Sequence, residues 1–391
     1  MAISFQKILF VLLLAFSELA IAQATKQDIQ TGEKSLMQKG NELMRIRKFD
    51  EAVEIFQQAV AAQPSTAEPR IMLGTAMINA GHPLEALEEA KRAIQLEPNS
   101  APAYLLLGNS NAAMRRHTEA IEAFLQSARL NPDFPNAHMN LGIAYGETKH
   151  YEEAVASFKQ VLRLLPNNPN ALNGIGIGYY RLGQTEQGIN YVKQAVKYAP
   201  DFADAYTNLG MWYSALGRYE ESADAQAQVI RIAPRFPNAY RLSAISNFIL
   251  GRSEAVIKDA TRGLELTDWR GTNSQFVIIF LALSQRRLGL EDEAKNTLSL
   301  ANKRSDPKLW PYAIIRYLNN EIDANALIQT SNDNEKLTES HAYIGINLQL
   351  NKKPDEAREH FEWIKANGTK RFIEYTIAEK ELQRLETLKQ K

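Results

Sequence analysis

The stretch NPDFPNAHMNLG, at residues 131–142, returns 68 residues later as APDFADAYTNLG, at residues 199–210. Prolines give the spacing, since they recur every 34 residues and 68 residues are therefore two periods. These prolines are Pro64, Pro98, Pro132, Pro166, Pro200 and Pro234. Recurrence at a fixed spacing of this length indicates a repeat architecture, in which each repeat stacks on its neighbours.

Other columns of the repeat keep the same phase. The eighth position carries Gly40, Gly74, Gly108, Gly142, Gly176 and Gly210. The twentieth position is small in most repeats, with Ala52, Ala86, Ala120, Ala154, Gly188 and Ser222. The twenty-fourth position often carries a ring, as in Phe56, Phe124 and Phe158. Because these columns are independent of one another, their common phase shows that the repeat is real.

Each repeat predicts two amphipathic helices, because apolar residues recur three and four apart in two separate runs. The turn between the runs often carries glycine at position 15, where a helix commonly ends in the left-handed conformation. Proline near position 32 ends the second helix, since proline inside a helix costs about 3 kcal/mol. We therefore expect an all-α chain of stacked helix-turn-helix repeats.

This pattern resembles the tetratricopeptide repeat (TPR) family, and AYTNLGMWYSALGRYEESA at residues 205–223 is similar to its consensus. The resemblance implies a right-handed TPR superhelix, an α-solenoid of about nine helix-turn-helix repeats with a C-terminal capping helix. Seven repeats fit residues 33–270, although the seventh is degenerate, and an eighth fits 275–308 after a slip at 271–274. The period breaks at 309–337, and a ninth repeat returns at 338–371 before a last helix.

The first 28 residues, MAISFQKILFVLLLAFSELAIAQATKQD, read as a secretory signal peptide. Lys7 supplies the positive charge, Ile8–Phe16 the apolar core, and cleavage is expected after Ala22 or Ala24. We expect an exported chain, periplasmic or secreted; the alternative is an anchor formed by the uncleaved N-terminal segment. The predicted organisation is a signal peptide at 1–24, a TPR solenoid with repeats 1–8 at 25–308, an irregular helical insert at 309–337, and the ninth repeat with the capping helix at 338–391.

Composition limits the possible functions. Lys and Arg total 45 and Asp and Glu total 45, so the net charge is zero, and we expect no nucleic-acid binding, which needs a concentrated basic face. The chain has no cysteine, which excludes disulfides, thiol catalysis and a lipoprotein anchor. No integral membrane span is predicted beyond the N-terminal segment.

Catalytic and metal-binding motifs are not found in the sequence. The six histidines do not form a His-Glu-x-x-His pair, so we predict neither a metal site nor a cofactor. NGIGIG at 173–178 imitates a phosphate-binding loop, but Gly176 is a column glycine inside a predicted first helix, which favours packing. The sequence gives no role to Gly174 and Gly178. We predict that the chain is not an enzyme.

The C-terminal segments WPYAIIRYL (310–318), LTESHAYIGINLQLNKKPDEAREHFEWI (337–364) and RFIEYTIAEKELQRL (371–385) resemble the C-terminal part of NlpI-like bacterial envelope TPR proteins. This resemblance implies an adaptor that docks envelope proteases and peptidoglycan hydrolases and that can form a homodimer through its terminal helices. The chain departs from that family in lacking the lipid-bearing cysteine and in having more repeats.

The TPR resemblance also implies where a partner binds, since first helices line the concave groove of such superhelices. The candidate peptide-binding residues are Met37, Asn41, Ile71, Thr75, Leu105, Asn109, Met139, Asn140, Ile143, Asn173, Ile177, Tyr180, Arg181, Thr207, Asn208, Met211, Arg241 and Ile245. The lysines of the carboxylate clamp found in chaperone-binding TPR proteins are absent, since Met37 precedes Asn41. The alternative interpretation is that these residues pack on neighbouring helices, or that the terminal helix fills the groove.

Together these features predict a non-catalytic scaffold or adaptor that binds protein or peptide partners in the cell envelope, of the protease or peptidoglycan-hydrolase type. One alternative is an assembly factor for surface polysaccharide, pilus or secretion machinery. The other is an enzyme whose site has no recognisable motif. A convergent polar site in a pocket would favour the enzyme.

Overall fold

The computed structural model describes residues 35–270 and 272–389, and within these ranges the chain is helical, with turns and no strand. The predicted all-α class is thereby confirmed. The predicted signal peptide, at residues 1–24, lies outside the described residues. The helices form two compact units, an N-terminal unit that ends at Pro200 and a C-terminal unit that begins at Asp201.

The N-terminal unit consists of helix pairs, one pair for each of the first five repeats. Its helices are α1 (Leu36–Arg45), α2 (Phe49–Ala62), α3 (Ala67–Asn79), α4 (Pro83–Leu96), α5 (Ala101–Ala113), α6 (His117–Leu130), α7 (Pro135–Glu147), α8 (Tyr151–Leu164), α9 (Pro169–Arg181) and α10 (Thr185–Tyr198). Odd-numbered helices are the first helices of their repeats. They contact their own partner and the preceding second helix, and α3, α5 and α7 also contact the first helix of the next repeat.

The turn inside each repeat contains one left-handed residue at position 15. Glycine takes this conformation at Gly81 and Gly183, with φ of 89° and 78°. Arg47, Arg115 and Lys149 take it as well, with φ of 61°, 60° and 65°. The backbone of the turn is therefore the same in all five repeats, although left-handed φ is unfavourable for residues with a Cβ. Glycine at this position is a preference of the repeat and not a requirement.

The three glycines of NGIGIG allow α9 to approach both of its neighbours. A Cβ on Gly174 would lie 2.7 Å from the Phe158 ring, and one on Gly178 would lie 2.4 Å from Val155 Cγ2, both on α8. A Cβ on Gly176 would lie 2.4 Å from Val192 Cγ2 and 2.9 Å from the Gly188 carbonyl oxygen on α10. The motif is therefore a packing device, and it accounts for Gly174 and Gly178 as well as for Gly176.

The C-terminal unit continues the helix pairs and then departs from them. Its helices are α11 (Ala203–Ala215), α12 (Tyr219–Ile232), α13 (Pro237–Leu250), α14 (Ser253–Thr267), α15 (Thr272–Arg287), α16 (Glu291–Arg304), α17 (Pro311–Leu318), α18 (Ala324–Thr330), α19 (Asn334–Leu350), α20 (Pro354–Asn367) and α21 (Ile373–Lys389). The short helices α17 and α18 interrupt the spacing between the pair α15/α16 and the pair α19/α20. One apolar core joins residues from α12 to α21.

The last helix, α21, reaches back over earlier repeats of this unit. A helix that only capped the stack would contact the final pair, α19 and α20. Helix α21 contacts that pair and also α13. Its Thr376 accepts a hydrogen bond from Tyr219 on α12 at 3.4 Å, and its Arg384 donates to the Ile249 carbonyl on α13 at 2.9 Å. Helix α21 therefore covers part of the C-terminal unit besides ending it.

We predict that Gly176→Ala lowers the free energy of unfolding by about 1–3 kcal/mol, the usual cost of overfilling a packed contact. Alanine favours an isolated helix over glycine by up to about 1 kcal/mol, so a loss would show that contact with α10 outweighs helix propensity. Urea unfolding followed by circular dichroism measures the change. Asn190→Ala on the exposed face of α10 is the control and should leave stability unchanged or slightly higher. A stabilised Gly176→Ala chain would contradict the close contact.

Candidate functional site

The face built by the first helices, at repeat positions 2, 5, 9, 12 and 13, is called the first-helix face below, separately for each unit. In the N-terminal unit the structure places the candidate residues at three depths. The half-buried ones are Met37, Asn41, Ile71, Thr75, Ile177 and Tyr180. The buried ones are Leu105, Asn109, Met139, Asn140, Ile143 and Asn173. Arg181 alone among these candidates is exposed.

The buried candidates belong to the packing between repeats. Met139 and Ile143, 6% and 4% exposed, lie in one apolar cluster with Val155 and Phe158 of α8. Leu105 lies in a similar cluster with Phe124 of α6. Charged substitutions at these positions would therefore disturb the core before they disturbed a bound partner.

Two of the candidate asparagines bond to each other across adjacent repeats. Asn140 on α7 donates through Nδ2 to Asn109 Oδ1 on α5 at 2.6 Å, and both side chains are buried. A buried amide pair of this kind satisfies polar groups that would otherwise be costly to desolvate. The pair thus holds neighbouring first helices in register.

The half-buried candidates form the accessible part of this face. The Thr75 hydroxyl donates a hydrogen bond within its own helix, to the Ile71 carbonyl at 2.8 Å. Asn41 differs, because its Oδ1 is buried and has no hydrogen-bond partner among residues 35–270 and 272–389. A buried acceptor without a donor is uncommon in folded proteins. Glu147 Oε1, at position 13 of the fourth repeat, is a second buried acceptor on this face without a partner among the described residues.

The candidates in the C-terminal unit are less open. Thr207 is buried and donates to the Ala203 carbonyl at 2.9 Å, and Asn208 is also buried. Ile245 is part of the apolar core that includes residues of α21. Met211 is half-buried.

Arg241 is half-buried beside a pocket of about 260 Å³ between the start of α13, the end of α14 and α15. Its guanidinium donates through Nε and Nη2 to Asn238 Oδ1, at 3.1 and 2.8 Å. Burial lowers the pKa of Arg241 below its ordinary value. The other walls are mostly apolar, with Phe236, Leu264 and Val277 among them.

Two buried glutamates near α21 were not among the sequence candidates. Glu339 on α19 is 7% exposed and accepts a hydrogen bond from Trp310 Nε1, and Glu374 on α21 is 3% exposed and accepts from the Tyr343 hydroxyl at 2.8 Å. Burial and the neighbouring Glu374 raise the pKa of Glu339 to about 8, and burial raises the pKa of Glu374. A glutamate within an apolar helix face was the only signal of this pair in the sequence.

The nearest approach of two histidines joins α19 to α20. His341 Nδ1 and His360 Nδ1 lie 3.0 Å apart, and the Trp363 ring stacks on His341 with centroids 3.9 Å apart. Burial lowers the pKa of His341 to about 4, so this histidine is neutral near pH 7. In the described part of the chain no three or more His, Cys, Asp or Glu side chains come together in a way that could hold a metal ion.

Among residues 35–270 and 272–389, none of the helices α1 to α21 is both long enough and apolar enough to cross a lipid bilayer.

Comparison with known families identifies the repeats. Models of the tetratricopeptide repeat match residues 43–109, 105–169 and 173–237. The repeats of residues 43–237 are therefore tetratricopeptide repeats by sequence as well as by fold. The matches end at residue 237, so the resemblance of the C-terminal region to NlpI-like proteins stays a prediction. No curated protein sequence matches the chain significantly.

Solved structures are similar in fold. A chain of the APC/C hetero-tetramer Cut9–Hcn1 is 19% identical with a TM-score of 0.53, and the alignment covers 71% of this chain and 54% of that one. MamA is 25% identical over 42% of this chain and 96% of its own, with a TM-score of 0.37. YrrB, described as a TPR protein with an unusual peptide-binding site, is 21% identical over 46% and 94%, with a TM-score of 0.39. The similarity to the Cut9–Hcn1 chain shows a shared helical-repeat fold.

We predict that Asn109 and Asn140 are energetically coupled. Asn109→Leu or Asn140→Leu alone should lower the free energy of unfolding by about 1–3 kcal/mol, because each leaves the other amide buried without its partner. The double variant should cost clearly less than the sum of the two. Urea unfolding of the four chains measures the coupling, and strictly additive losses would show that the hydrogen bond contributes nothing.

We predict that the C-terminal unit loses stability as pH rises. Glu339 has a pKa of about 8 in the folded chain against an ordinary value of 4.5, so between these values the folded state binds more protons than the unfolded state. Its contribution is complete below about pH 4.5 and is lost as pH rises through about 8. The difference is on the order of 5 kcal/mol. The charged or titratable groups that act on Glu339 are Glu374, Asp333, Glu335 and Tyr343, and Lys336 lies over the ring of its hydrogen-bond donor Trp310.

Glu339→Gln keeps an acceptor for Trp310 but cannot ionise, so its chain should be more stable than the parent at pH 8 and should show a flatter dependence on pH. Thermal unfolding at pH 5, 7 and 9 measures both. Glu362→Gln, at an exposed position of α20, is the control and should follow the parent. An unchanged pH profile in Glu339→Gln would contradict the assignment.

Proposed function

We propose that the chain is a non-catalytic scaffold that binds a segment of a partner protein on the first-helix face of the N-terminal unit. The observation that carries this proposal is that the face is open. Within residues 35–200, helix contacts join consecutive helices and the first helices of neighbouring repeats, and no further helix lies over the face. A stack of first helices without a covering element is the surface that repeat proteins use for extended partners.

The chemistry of the open face favours a peptide over a small molecule. Met37, Ile71 and Ile177 present half-buried apolar side chains, and methionine adapts to irregular partner surfaces. Asn41 adds the buried acceptor without a donor described above. Apolar side chains beside an unpaired amide oxygen suit an extended segment or a helix end, whose backbone N–H groups need acceptors.

The location and the partner class follow from the sequence. The N-terminal signal-like segment supports an exported, envelope-located chain, and the NlpI-like C-terminal resemblance supports partners of the envelope protease or peptidoglycan-hydrolase type. A scaffold of this kind would raise the local concentration of the enzyme that it binds. It would require no catalytic residue of its own.

The test is capture of partners from envelope extract by residues 25–391, with mass spectrometry. The face variant carries Thr75→Glu and Ile177→Glu, at half-buried positions of α3 and α9. The control variant carries Leu125→Glu and Ala156→Glu, at exposed positions of the second helices α6 and α8. We expect the parent and the control to capture an envelope protease or hydrolase, and the face variant to lose at least about tenfold of it, because buried charges oppose an apolar partner.

Circular dichroism of the three baits confirms that all are folded. Equal capture by the face variant and the parent would show that binding lies elsewhere on the chain. Capture of polysaccharide, pilus or secretion subunits in place of an enzyme would favour the assembly factor.

A further inference from the structure

The first-helix face of the C-terminal unit is occupied by the chain's own last helix. Helix α21 runs from the middle of α19 to the ends of α15 and α13, since Glu374 contacts Tyr343, Glu381 contacts Arg287, and Arg384 contacts Ile249. Arg287 and Ile249 both lie at position 13 of their repeats, which belongs to the first-helix face. Three successive first helices therefore touch one covering helix.

The apolar side chains of α21 are buried in the core of the C-terminal unit. Ile377, Ala378, Leu382 and Leu385 of α21 are between 1% and 8% exposed. They share one core with face residues of α13 and α15, which are Ile245, Phe248, Ile249, Ile279 and Leu283. Apolar residues at spacings of one, four and three form a single stripe on a helix. A hydrophobic groove binds an amphipathic helix through a stripe of this kind.

Polar contacts fix the direction and register of α21. Glu381, 3% exposed as a side chain, pairs with Arg287 on the face and with Arg384 on its own helix. The Arg287 guanidinium also lies 4.5 Å over the Phe248 ring. Because Arg287 is largely buried, an acidic residue at this one point of the covering helix is strongly selected.

One residue of α21 opposes its own docking. Glu374 is buried within reach of Glu339, and both carboxyls have a raised pKa because burial disfavours their charge. Near neutral pH this pair makes the docked helix less stable than its apolar stripe alone would make it. A helix with the same stripe and an amide in place of Glu374 would keep an acceptor for Tyr343 without the charge.

We propose that the first-helix face of the C-terminal unit is a helix-binding groove, closed in this chain by α21, and that its partner is an acidic amphipathic helix that displaces α21. The partner helix carries aliphatic residues at the spacing of Ile377, Ala378, Leu382 and Leu385 and an acidic residue opposite Arg287. It lacks a charge at the place of Glu374. This site uses only the C-terminal unit, so it is independent of binding on the N-terminal unit.

The test loosens α21 in the full chain and offers a helix in trans. The chain variant Glu381→Arg places a positive charge against Arg287 and frees the groove, whereas Glu379→Arg changes an exposed position of the same helix and is the control. The probe is a fluorescently labelled peptide of residues 372–389. We expect it to bind the Glu381→Arg chain at least about tenfold tighter than the parent and the control chain, since α21 no longer competes.

Two peptide variants test the recognition pattern. The peptide with Glu374→Gln should bind the Glu381→Arg chain more tightly than the parent peptide at pH 7 and equally at pH 4, where the glutamate is protonated. The peptide with Glu381→Arg should not bind. Fluorescence anisotropy measures all affinities, and circular dichroism confirms that each chain is folded.

If the Glu381→Arg chain does not fold, the Arg384→Ala chain replaces it, because this change removes the bond to Ile249 and leaves the Arg287–Glu381 pair in place. Absence of peptide binding to a folded, loosened chain would overturn the proposal. Formation of a dimer that excess peptide does not dissociate would overturn it too, since the occupant would then be α21 of a second copy.

Discussion

The contact between a glycine on the first helix and a ring on the second is the constraint on which the first, third, fourth and ninth repeats depend. A Cβ added at Gly40, Gly108, Gly142 or Gly345 would lie 2.3–2.6 Å from an atom of the phenylalanine at position 24 of the same repeat. No side chain can enter that space, so the ring sets how closely the two helices pair. Because this distance recurs, the first helices of these four repeats present the same repeat positions away from their second helices. The face is thus a consequence of the packing inside the pairs.

The spacing of these residues was sufficient to predict the all-α class and the helix pairs. It was not sufficient at positions where the fold accommodates a residue other than the consensus one. Gln226 stands at the ring position of its repeat and is fully buried, with neither amide atom hydrogen-bonded to any described residue. Lys149 takes the left-handed turn conformation that the sequence assigns to glycine. In both cases the neighbouring repeats over-determine the local geometry, and the unfavourable side chain is tolerated.

The sequence likewise predicted the candidate site only in part. Repeat register identified which residues belong to the first-helix face, but it did not say that Met139 and Ile143 are buried whereas Ile71 and Ile177 remain partly open. How deeply a face residue is buried depends on the size of the side chains in the neighbouring repeat. The position of a residue within its own repeat does not give that information. The course of α21 was harder still, because its anchor joins Arg287 to Glu381 across 94 residues. Its apolar spacing predicted a helix that caps the solenoid, and a terminal helix that fills the groove was only the alternative.

The residue composition of the two faces explains why the same repeat positions are covered in the C-terminal unit and open in the N-terminal unit. In the C-terminal unit, positions 5, 9 and 13 of the seventh and eighth repeats include Ile245, Ile249, Ile279 and Leu283, all buried in the apolar core that also includes residues of α21. Such a face loses stability if water reaches it, and a covering helix removes that cost because it satisfies its own backbone. In the N-terminal unit the equivalent positions include the polar residues Asn41, Thr75 and Asn109, of which Thr75 donates to the Ile71 carbonyl of its own helix and Asn109 accepts from Asn140. A face of that composition is stable uncovered, and its acceptors without a partner among the described residues, Asn41 Oδ1 and Glu147 Oε1, favour a chain whose backbone N–H groups are free. The apolar face therefore suits a helix, and the mixed face suits an extended segment.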